Sequence, residues 1–373
     1  ANRCQRLGRG FDSLDPLQEL KLLMKKFYYI EILRFIAALS VLIFHYQHFF
    51  QPFSSVSQTD YLANKTLQPF YTLLEIFYNY GHYGVPLFWT ISGFVFAFVY
   101  LGSQKNTSGK SFFINRFARL YPLHFATLLI VALLQIVSNK YVSNYQIYQY
   151  NDLYHFFLNI FFVSGWGFTE GYSFNYPIWS VSVELIIYLV FFIFISNLNK
   201  YKIKFLFLLY LILLGVDKLG LDGGDENIKS IFIDCAKLFF SGTFVFFLYE
   251  RFKNKLYLIL LSVLLILLSW VGNFKLFLFF PAILLFFAAI EIFMHDKAKR
   301  TFEFFGNLTY ALYLLHIPVQ IIIILIFNYF NIMDEIFLNN YFFILYLLLM
   351  IVLSFVSFKF YEKPINNKIR SFF

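Results

Sequence analysis

The chain has 373 residues, of which 60% are hydrophobic and 23% aromatic, whereas only 14% are charged. Because a soluble domain carries about a quarter charged residues, this composition excludes that class and indicates a protein that crosses a membrane several times. A formal charge of +9 would favour nucleic-acid binding in a soluble protein. In a membrane protein the distribution of that charge sets orientation instead, so we expect the lipid bilayer as a partner and no nucleic acid.

Ten apolar stretches follow one another along the chain, most of them about 17–25 residues long, the length that crosses a bilayer. They predict an all-α integral membrane protein with about ten transmembrane helices. The approximate predicted spans are 28–49, 85–101, 120–137, 177–197, 205–219, 230–249, 256–272, 275–293, 304–328 and 340–361.

The basic residues predict the orientation of these spans. If the first span runs outward from the cytoplasm, the cytoplasmic segments after the N-terminal arm carry 17 lysines and arginines and the outer segments carry five. Cytoplasmic loops are enriched in these residues, which favours an N-in/C-in arrangement. Two long outer segments, 50–84 and 138–176, contain apolar stretches at 68–80 and 153–164 that are too short or too polar to span, so we expect interfacial or re-entrant helices there.

Three parts of the chain are distinguished by composition. Residues 1–26 read as an N-terminal arm or as residues upstream of a natural start near Met24, residues 27–367 form the transmembrane domain, and residues 368–373 form a short cytoplasmic tail. The two cysteines, Cys4 and Cys235, are too few and too far apart to indicate a disulfide framework. We expect Cys235 to be a small core residue.

The first predicted span, 28–49, carries four polar side chains: Glu31, Arg34, His45 and His48. A charged side chain inside a span is costly and usually marks a functional site. Arg34 and His45 are eleven positions apart, so on a helix they lie within about 20° of one face and about 16 Å apart along the axis. One helix face therefore presents a cation and, further along, a titratable base.

Two later stretches carry further charged candidates. Arg116 and Arg119 share a helix face and suit bidentate phosphate binding, whereas a positive anchor at the cytoplasmic boundary is the plainer alternative. Glu184, about two turns inside the fourth span, is a site candidate by default because carboxylates at that depth are uncommon.

Two charged pairs are expected to be structural. Asp234 and Lys237, three apart in the sixth span, are expected to neutralise each other. Glu362 lies beside Lys363 at the cytoplasmic boundary, where a surface pair is expected.

Less specific signals come from histidines, a tyrosine and a glycine. His82 fits either a site residue or a solvated loop histidine, whereas Tyr313 and His316 share a face of the ninth span, where a buried hydrogen-bonded histidine is the plainer alternative. His124 is expected at the interface and Gly93 at a close helix contact. The histidines lack a metal-ligand spacing such as His-x-x-x-His, so no metal is expected.

Six motifs in chain order carry a resemblance to a known family. They are EILRFIAALSVLIFH, GVPLFWTISGF, RFARLYP, WSVSVE, GNLTYALYLLHIP and FYEKP. Together they resemble the membrane-bound acyltransferase 3 family, bacterial integral-membrane O-acyltransferases that modify surface glycans, over residues 27–367. One departure is Pro86, which stands where many relatives have an acid.

The resemblance implies an enzyme that transfers an acyl group, most often acetyl, from cytoplasmic acyl-CoA to a hydroxyl of a cell-surface or lipid-linked glycan. It implies a multi-pass protein of the bacterial cytoplasmic (inner) membrane. Because only residues 362–373 follow the last predicted span, it also implies the stand-alone form without an appended esterase-like domain. Whether the protein forms a homo-oligomer stays open.

The family motifs assign the roles. Arg34 and His45 fall on the signature of a basic residue and a histidine, Arg116 and Arg119 on the paired-arginine loop, and Glu184 on the WS-x-S-x-E motif. We hypothesise that His45 is the general base, that Glu184 orients it, and that Arg34, Arg116 and Arg119 bind the phosphates of coenzyme A. His82, Tyr313 and His316 are candidates for contacting substrate or supporting the site.

Two alternatives remain at this point. A covalent acyl intermediate on His45 or on a tyrosine would replace direct transfer. A transporter or flippase for a lipid-linked glycan or small anion would also place buried charges on membrane helices, although neither inverted repeats nor paired broken helices are visible in the sequence.

Overall fold

A computed structural model of the chain describes residues 26–50, 65–102, 108–218, 228–271, 275–332 and 334–372. The predicted N-terminal arm falls outside these ranges except for Lys26. The described residues form helices and connecting turns and contain no β-strand. The prediction of an all-α protein is therefore confirmed.

The described residues form thirteen α-helices. They are α1 (Tyr28–Phe44), α2 (Tyr71–Tyr80), α3 (Gly84–Tyr100), α4 (Gly109–Val142), α5 (Leu153–Ile160), α6 (Trp179–Tyr201), α7 (Ile203–Lys218), α8 (Ile228–Arg251), α9 (Lys255–Val271), α10 (Lys275–Ala289), α11 (Asp296–Tyr329), α12 (Asn340–Ser357) and α13 (Lys363–Phe372). A 3₁₀ turn, His45–Phe49, continues α1, and another, Gly81–Tyr83, joins α2 to α3.

Eight helical segments in the described ranges are long and apolar enough to cross a membrane. Two of the ten predicted spans, 205–219 and 256–272, coincide with shorter apolar helices. The second of these, α9, has 17 residues and is therefore about 26 Å long, slightly less than the hydrocarbon core. An integral membrane protein is confirmed, and the N-in/C-in orientation stays a prediction.

Helix α3 lies against α8 through a pair of glycines. A Cβ atom on Gly93 would be 1.7 Å from the carbonyl oxygen of Phe239, and one on Gly242 would be 1.9 Å from that of Thr90. In lipid, where apolar burial does not drive helices together, small residues let backbones approach and gain van der Waals contact. The predicted packing role of Gly93 is confirmed. On its other side α3 contacts α1, which packs along α11.

The segment between α4 and α6 folds back into the helix bundle. Nε2 of His124 lies 2.8 Å from the carbonyl oxygen of Asn159, and Nδ2 of Asn175 donates to Oγ1 of Thr127 at 3.1 Å. His124 is 18 positions before the last residue of α4, Val142, which corresponds to about 27 Å of helix. The segment containing α5 therefore folds back along α4, and the prediction that it is interfacial or re-entrant stays a prediction. His124, which was expected at the interface, is completely buried beneath this segment.

A charged pair and the cysteine on α8 also match their predictions. Nζ of Lys237 lies 3.6 Å from Oδ1 of Asp234, and the Lys237 side chain is 2% exposed. Cys235 is fully buried. These residues therefore belong to the packing of the bundle.

Helix α13 begins before the predicted boundary at residue 367 and continues to Phe372. It packs against α4. Tyr361, just before it, donates a hydrogen bond to the carbonyl of Pro122 at 3.0 Å. The predicted tail is thus the second half of a helix that is held against the bundle.

Candidate active site

Three histidine rings lie parallel to one another where α1 ends. His45 starts the 3₁₀ turn after α1, His48 follows on the same turn, and His316 comes from the middle of α11. The ring centroid of His45 is 4.9 Å from that of His48 and 4.9 Å from that of His316, with interplanar angles of 15° and 11°. Nδ1 of His45 is 2.8 Å from Nε2 of His316. We refer to these three residues as the histidine stack.

Gln320 contacts two members of the histidine stack, His45 and His48. Its Nε2 atom donates to the carbonyl oxygen of His45 at 2.9 Å, so its Oε1 atom is the one that lies 3.1 Å from Nδ1 of His48. Because that oxygen only accepts, Nδ1 of His48 donates. Sequence reasoning gave no role to His48 or Gln320. The sequence does contain an indication for Gln320, because this residue lies one helical turn after His316 and therefore on the same face of α11.

His82 lies outside the histidine stack. Its side chain is exposed. Its ring packs 5.0 Å from the ring of Phe44 and 4.3 Å from that of Tyr83. Phe44 directly precedes His45, so His82 is at the edge of the stack and open to solvent.

A cavity of about 110 Å³, which we call the inner cavity, contains most of the predicted charged residues. Its charged lining residues are Arg34, Arg116, Arg119 and Glu184. It also contacts Tyr313, whose ring centroid is 6.2 Å from that of His316. The inner cavity therefore reaches the neighbourhood of the histidine stack through Tyr313.

Glu184 is buried in the wall of the inner cavity. The residue is 6% exposed, and its Oε1 atom has no hydrogen-bond partner among the described residues. A buried carboxylate is stable only if opposite charges or donors compensate for lost water, and three arginines line the same cavity. Within the described residues no hydrogen bond joins Glu184 to His45. The group that contacts Nδ1 of His45 is His316 instead.

The two predicted phosphate ligands on α4 have different surroundings. The guanidinium of Arg116 lies 4.2 Å from the ring centroid of Phe96 and 3.4 Å from the hydroxyl of Tyr100. It is therefore held by aromatic faces within the inner cavity. Arg119 lines the inner cavity and also a second cavity. The two arginines do share a face of α4, as predicted.

The second cavity, of about 440 Å³, lies at the end of the bundle where α1 begins. Five cationic side chains and two carboxylates line it, and we call it the basic cavity. These charged residues are Lys26, Arg34, Arg119, Lys363, Arg370, Glu31 and Glu362. Glu362 faces this cavity and accepts from Oγ of Ser357 at 3.2 Å. The predicted surface pair with Lys363 is therefore wrong.

Three residues line both cavities: Arg34, Arg119 and Tyr310. Nη1 of Arg34 lies 3.1 Å from Oε2 of Glu31, which fixes its direction. The hydroxyl of Tyr310 donates to the carbonyl of Leu120 at 2.6 Å. These residues therefore lie where the basic cavity and the inner cavity adjoin.

Tyr313 is held between the inner cavity and the histidine stack. Its hydroxyl donates to the carbonyl of Pro177 at 2.8 Å and lies 2.9 Å from Oγ of Ser180. Its predicted position on the same face as His316 agrees with the structure. Both contacts anchor α11 to the beginning of α6.

The described residues contain no group of three histidine, cysteine, aspartate or glutamate side chains that could hold a metal ion. The close approach of Nδ1 of His45 to Nε2 of His316 suits proton transfer between the two rings.

Fold and site together define a multi-pass helical membrane protein that has charged cavities leading to titratable side chains inside its helix bundle. The model of the acyltransferase 3 family, described as an acyltransferase domain, matches residues 27–359. The chain belongs to this family, and it is a membrane acyltransferase. The family resemblance noted in the sequence is thereby confirmed. Neither the curated proteins nor the solved structures contain a match.

Proposed function

We propose that the protein transfers an acetyl group from cytoplasmic acetyl-CoA to a hydroxyl of a cell-surface or lipid-linked glycan in the bacterial cytoplasmic membrane. The observation that supports this most is the order of the three features along α11. On this helix Asn307 lines the basic cavity, Tyr313 lines the inner cavity, and His316 belongs to the histidine stack. Eleven helical positions separate Arg34 from His45, a distance of about 16 Å.

The donor fits this order chemically. Coenzyme A carries phosphates at one end and the thioester at the other, so the basic cavity suits its phosphates and Arg34 and Arg119 stand where its pantetheine arm would pass. The arm contains amide N–H groups. The unpartnered Oε1 atom of Glu184 can accept a hydrogen bond from one of them. We therefore assign Glu184 to donor binding.

His45 is the general base in this proposal. It takes the proton of the sugar hydroxyl as that oxygen attacks the thioester carbonyl carbon, a C–O bond forms, and the C–S bond breaks. The departing thiolate of coenzyme A then receives the proton. His316, 2.8 Å from Nδ1 of His45, orients the ring and shares the charge that develops on it.

Aromatic side chains next to the histidine stack suit a sugar acceptor. The ring of Tyr148 lies 5.6 Å from that of His48 and 5.7 Å from that of Tyr176. Tyr172, 4.2 Å from Tyr176, is 60% exposed. Tyrosine combines an apolar face with a polar hydroxyl, which matches the mixed surface of a sugar ring. The acceptor would reach His45 over these residues.

The experiment is a transfer assay with the purified protein in lipid nanodiscs. Acetyl-CoA labelled in the acetyl group is supplied with surface glycan from the host, and the release of coenzyme A and the mass of the glycan are both measured. We expect one acetyl ester formed for each coenzyme A released, and no ester with His45→Ala. Movement of glycan across vesicles without thioester cleavage would contradict the proposal and favour a transporter.

Direct transfer and a covalent acyl intermediate are separated by the same assay without acceptor. Direct transfer predicts no labelled protein after acetyl-CoA is mixed with the enzyme. An intermediate on His45 or on a tyrosine would leave label on the protein and give ping-pong kinetics.

A further inference from the structure

Helix α13 supplies one wall of the basic cavity. The four residues of this helix that line it are Lys363, Asn366, Asn367 and Arg370. Their spacing of three, four and seven positions puts all of them on one face of the helix. The match to the acyltransferase family ends at residue 359, so this face lies beyond the matched region.

The cations of the basic cavity differ in how they are paired. Lys26 is ion-paired with Glu303, and Arg34 with Glu31. Among the described residues no ion pair involves Lys363 or Arg370. The seven charged lining residues carry a formal excess of three positive charges. Such an excess around a cavity attracts a polyanion.

An amide on the same helix face adds a second indication of a ligand. Oδ1 of Asn366 is buried without a hydrogen-bond partner among the described residues. Buried polar atoms are nearly always hydrogen-bonded, so an unpartnered one in a cavity wall marks a place for a ligand or water. Asn366 lies between Lys363 and Arg370 on the cavity face.

We propose that α13 clamps the nucleotide half of the acyl-CoA donor, with Lys363 and Arg370 binding its phosphate groups. This rests on the proposed function, in which acyl-CoA is the donor. Arginine forms two parallel hydrogen bonds to a phosphate, and lysine adds a point charge. Tyr361 fixes the start of the helix to α4, the helix that carries Arg119. The clamp is therefore held in a set position relative to the entrance of the inner cavity.

The position of the cavity favours a nucleotide over a lipid headgroup. The basic cavity adjoins the inner cavity, because Arg34, Arg119 and Tyr310 line both. A ligand that binds in the basic cavity through its phosphates can extend the rest of the molecule into the inner cavity, as the pantetheine arm of coenzyme A would. The acyl chains of a phospholipid stay in the surrounding bilayer, so a phospholipid would not fill the inner cavity.

The test is a binding measurement with the full-length protein in nanodiscs of neutral lipid. Coenzyme A and dephospho-coenzyme A are the probes, and the variants are Lys363→Gln and Arg370→Gln. Lys368→Gln is the matched control, because Lys368 is an exposed cation on the same helix that does not line the cavity. We expect Kd for coenzyme A to rise about tenfold for each cavity variant, the size of one charge-assisted contact, and to stay within twofold for the control.

Dephospho-coenzyme A shows which phosphate is bound. A variant that no longer distinguishes it from coenzyme A has lost the contact with the 3′-phosphate, whereas a variant weakened equally toward both has lost a contact with the diphosphate. Thermal unfolding of each variant is compared with wild type, and Arg370→Lys should recover part of the affinity because it restores the charge.

Three outcomes would overturn the proposal. In the first, both cavity variants bind coenzyme A as Lys368→Gln does while wild type binds it normally, which leaves the proposed function intact. In the second, the variants lose affinity only for vesicles of anionic phospholipid, which assigns the site to headgroups. In the third, wild type itself does not bind coenzyme A, and the donor of the proposed function fails together with the clamp.

Discussion

Nδ1 of His45 and Nε2 of His316 are 2.8 Å apart, although 271 positions separate the two residues in the chain. The contact exists because α1 and α11 pack along each other and bring the end of one helix to the middle of the other. The ring centroid of His48 is also 4.9 Å from that of His45. The ring that is the proposed base is thus contacted by two histidines, with one nitrogen engaged.

Replacing His316 should slow the chemical step more than it weakens donor binding. We expect His45→Ala to lower kcat about 10²–10⁴-fold, the usual contribution of a general base, and His316→Ala to lower it about 10–100-fold with little change in KM for acetyl-CoA. The pH–rate profile should also shift for His316→Ala, which loss of a purely structural contact would not cause. His82→Ala, at the exposed edge, serves as the control and should stay within about twofold of wild type.

Glu184→Gln tests whether this carboxylate acts on the donor or on His45. The variant keeps the size of the side chain and removes its charge from a cavity lined by three arginines. If Glu184 binds the donor, KM for acetyl-CoA should rise about tenfold with a smaller change in kcat. If it orients His45, kcat should fall with KM unchanged. Steady-state kinetics at saturating acceptor decide between the two.

Gly93→Ala should destabilise the bundle, whereas Gly215→Ala should not. A Cβ atom at Gly93 would lie 1.7 Å from the carbonyl oxygen of Phe239, so α3 and α8 would have to move apart. Overpacking of this kind costs about 1–3 kcal/mol. A Cβ atom at Gly215 on α7 has nothing within 4 Å, and there alanine should stabilise the helix by up to about 1 kcal/mol. Thermal unfolding in detergent would show opposite shifts. Equal shifts would contradict the proposed close contact.

Gly306→Ala should weaken donor binding through Glu31. A Cβ atom at Gly306 would lie 2.2 Å from Oε2 and 2.6 Å from Cβ of Glu31, so that side chain must shift. The shift breaks its contact with Arg34, now 3.1 Å, and releases Arg34 from the junction of the two cavities. We expect Kd for coenzyme A to rise about fivefold, the effect of losing one polar contact. Glu31→Gln should give a similar change, and a normal Kd for both variants would show that Arg34 needs no such support.

Asp152 should stabilise the segment between α4 and α6 as the N-cap of α5. Its Oδ1 atom accepts from the backbone N–H of His155 at 3.0 Å, and its Oδ2 atom lies 2.7 Å from Nδ1 of the same residue. Loss of an N-cap costs about 0.5–2 kcal/mol, so Asp152→Ala should unfold more readily. Asp152→Asn keeps the cap and removes only the charge, so it should lose less stability than Asp152→Ala. Limited proteolysis between α4 and α6 would measure the difference.

The contribution of the Asp152 charge should disappear in acid. Burial alone would raise the pKa of this carboxyl, but hydrogen bonds from the backbone and ring of His155 outweigh it and lower the pKa below its ordinary value. A lowered pKa in the folded state stabilises at pH above the ordinary value of about 3.9, and that stabilisation is lost as the pH falls through the lowered pKa. Wild type and Asp152→Asn should therefore differ at neutral pH and converge once the pH is below the lowered pKa of Asp152.

Part of the site could be predicted because it lies on one helix. Arg34 and His45 are placed by the helical repeat alone, and the structure keeps Arg34 in the first half of α1 and His45 just after its end. The partner of His45 could not be predicted in this way, because Glu184 and His316 are on different helices and the spacing within each says nothing about which reaches α1. The structure brings His316 to the ring and leaves Glu184 in the inner cavity.

The positions of Glu362 and His124 show the same limit. Sequence position next to Lys363 suggested a surface pair, yet the side chain of Glu362 faces the basic cavity. His124 was expected at the interface, but α4 begins at Gly109, well before His124, and the segment between α4 and α6 covers its side chain. In both cases the neighbouring residues in the sequence do not tell which distant segment packs over a side chain.

By itself the sequence determined that this protein is helical, that it crosses a membrane several times and which family it resembles. The first two properties follow from hydrophobicity and from the helical period, and both act over one turn to one span of the chain. The tertiary structure alone decided that His45 contacts His316, that Arg34, Arg119 and Tyr310 line two cavities, and that α13 forms a wall of one of them. Such contacts depend on how helices pack, and packing is set by the shapes of side chains on several helices at once.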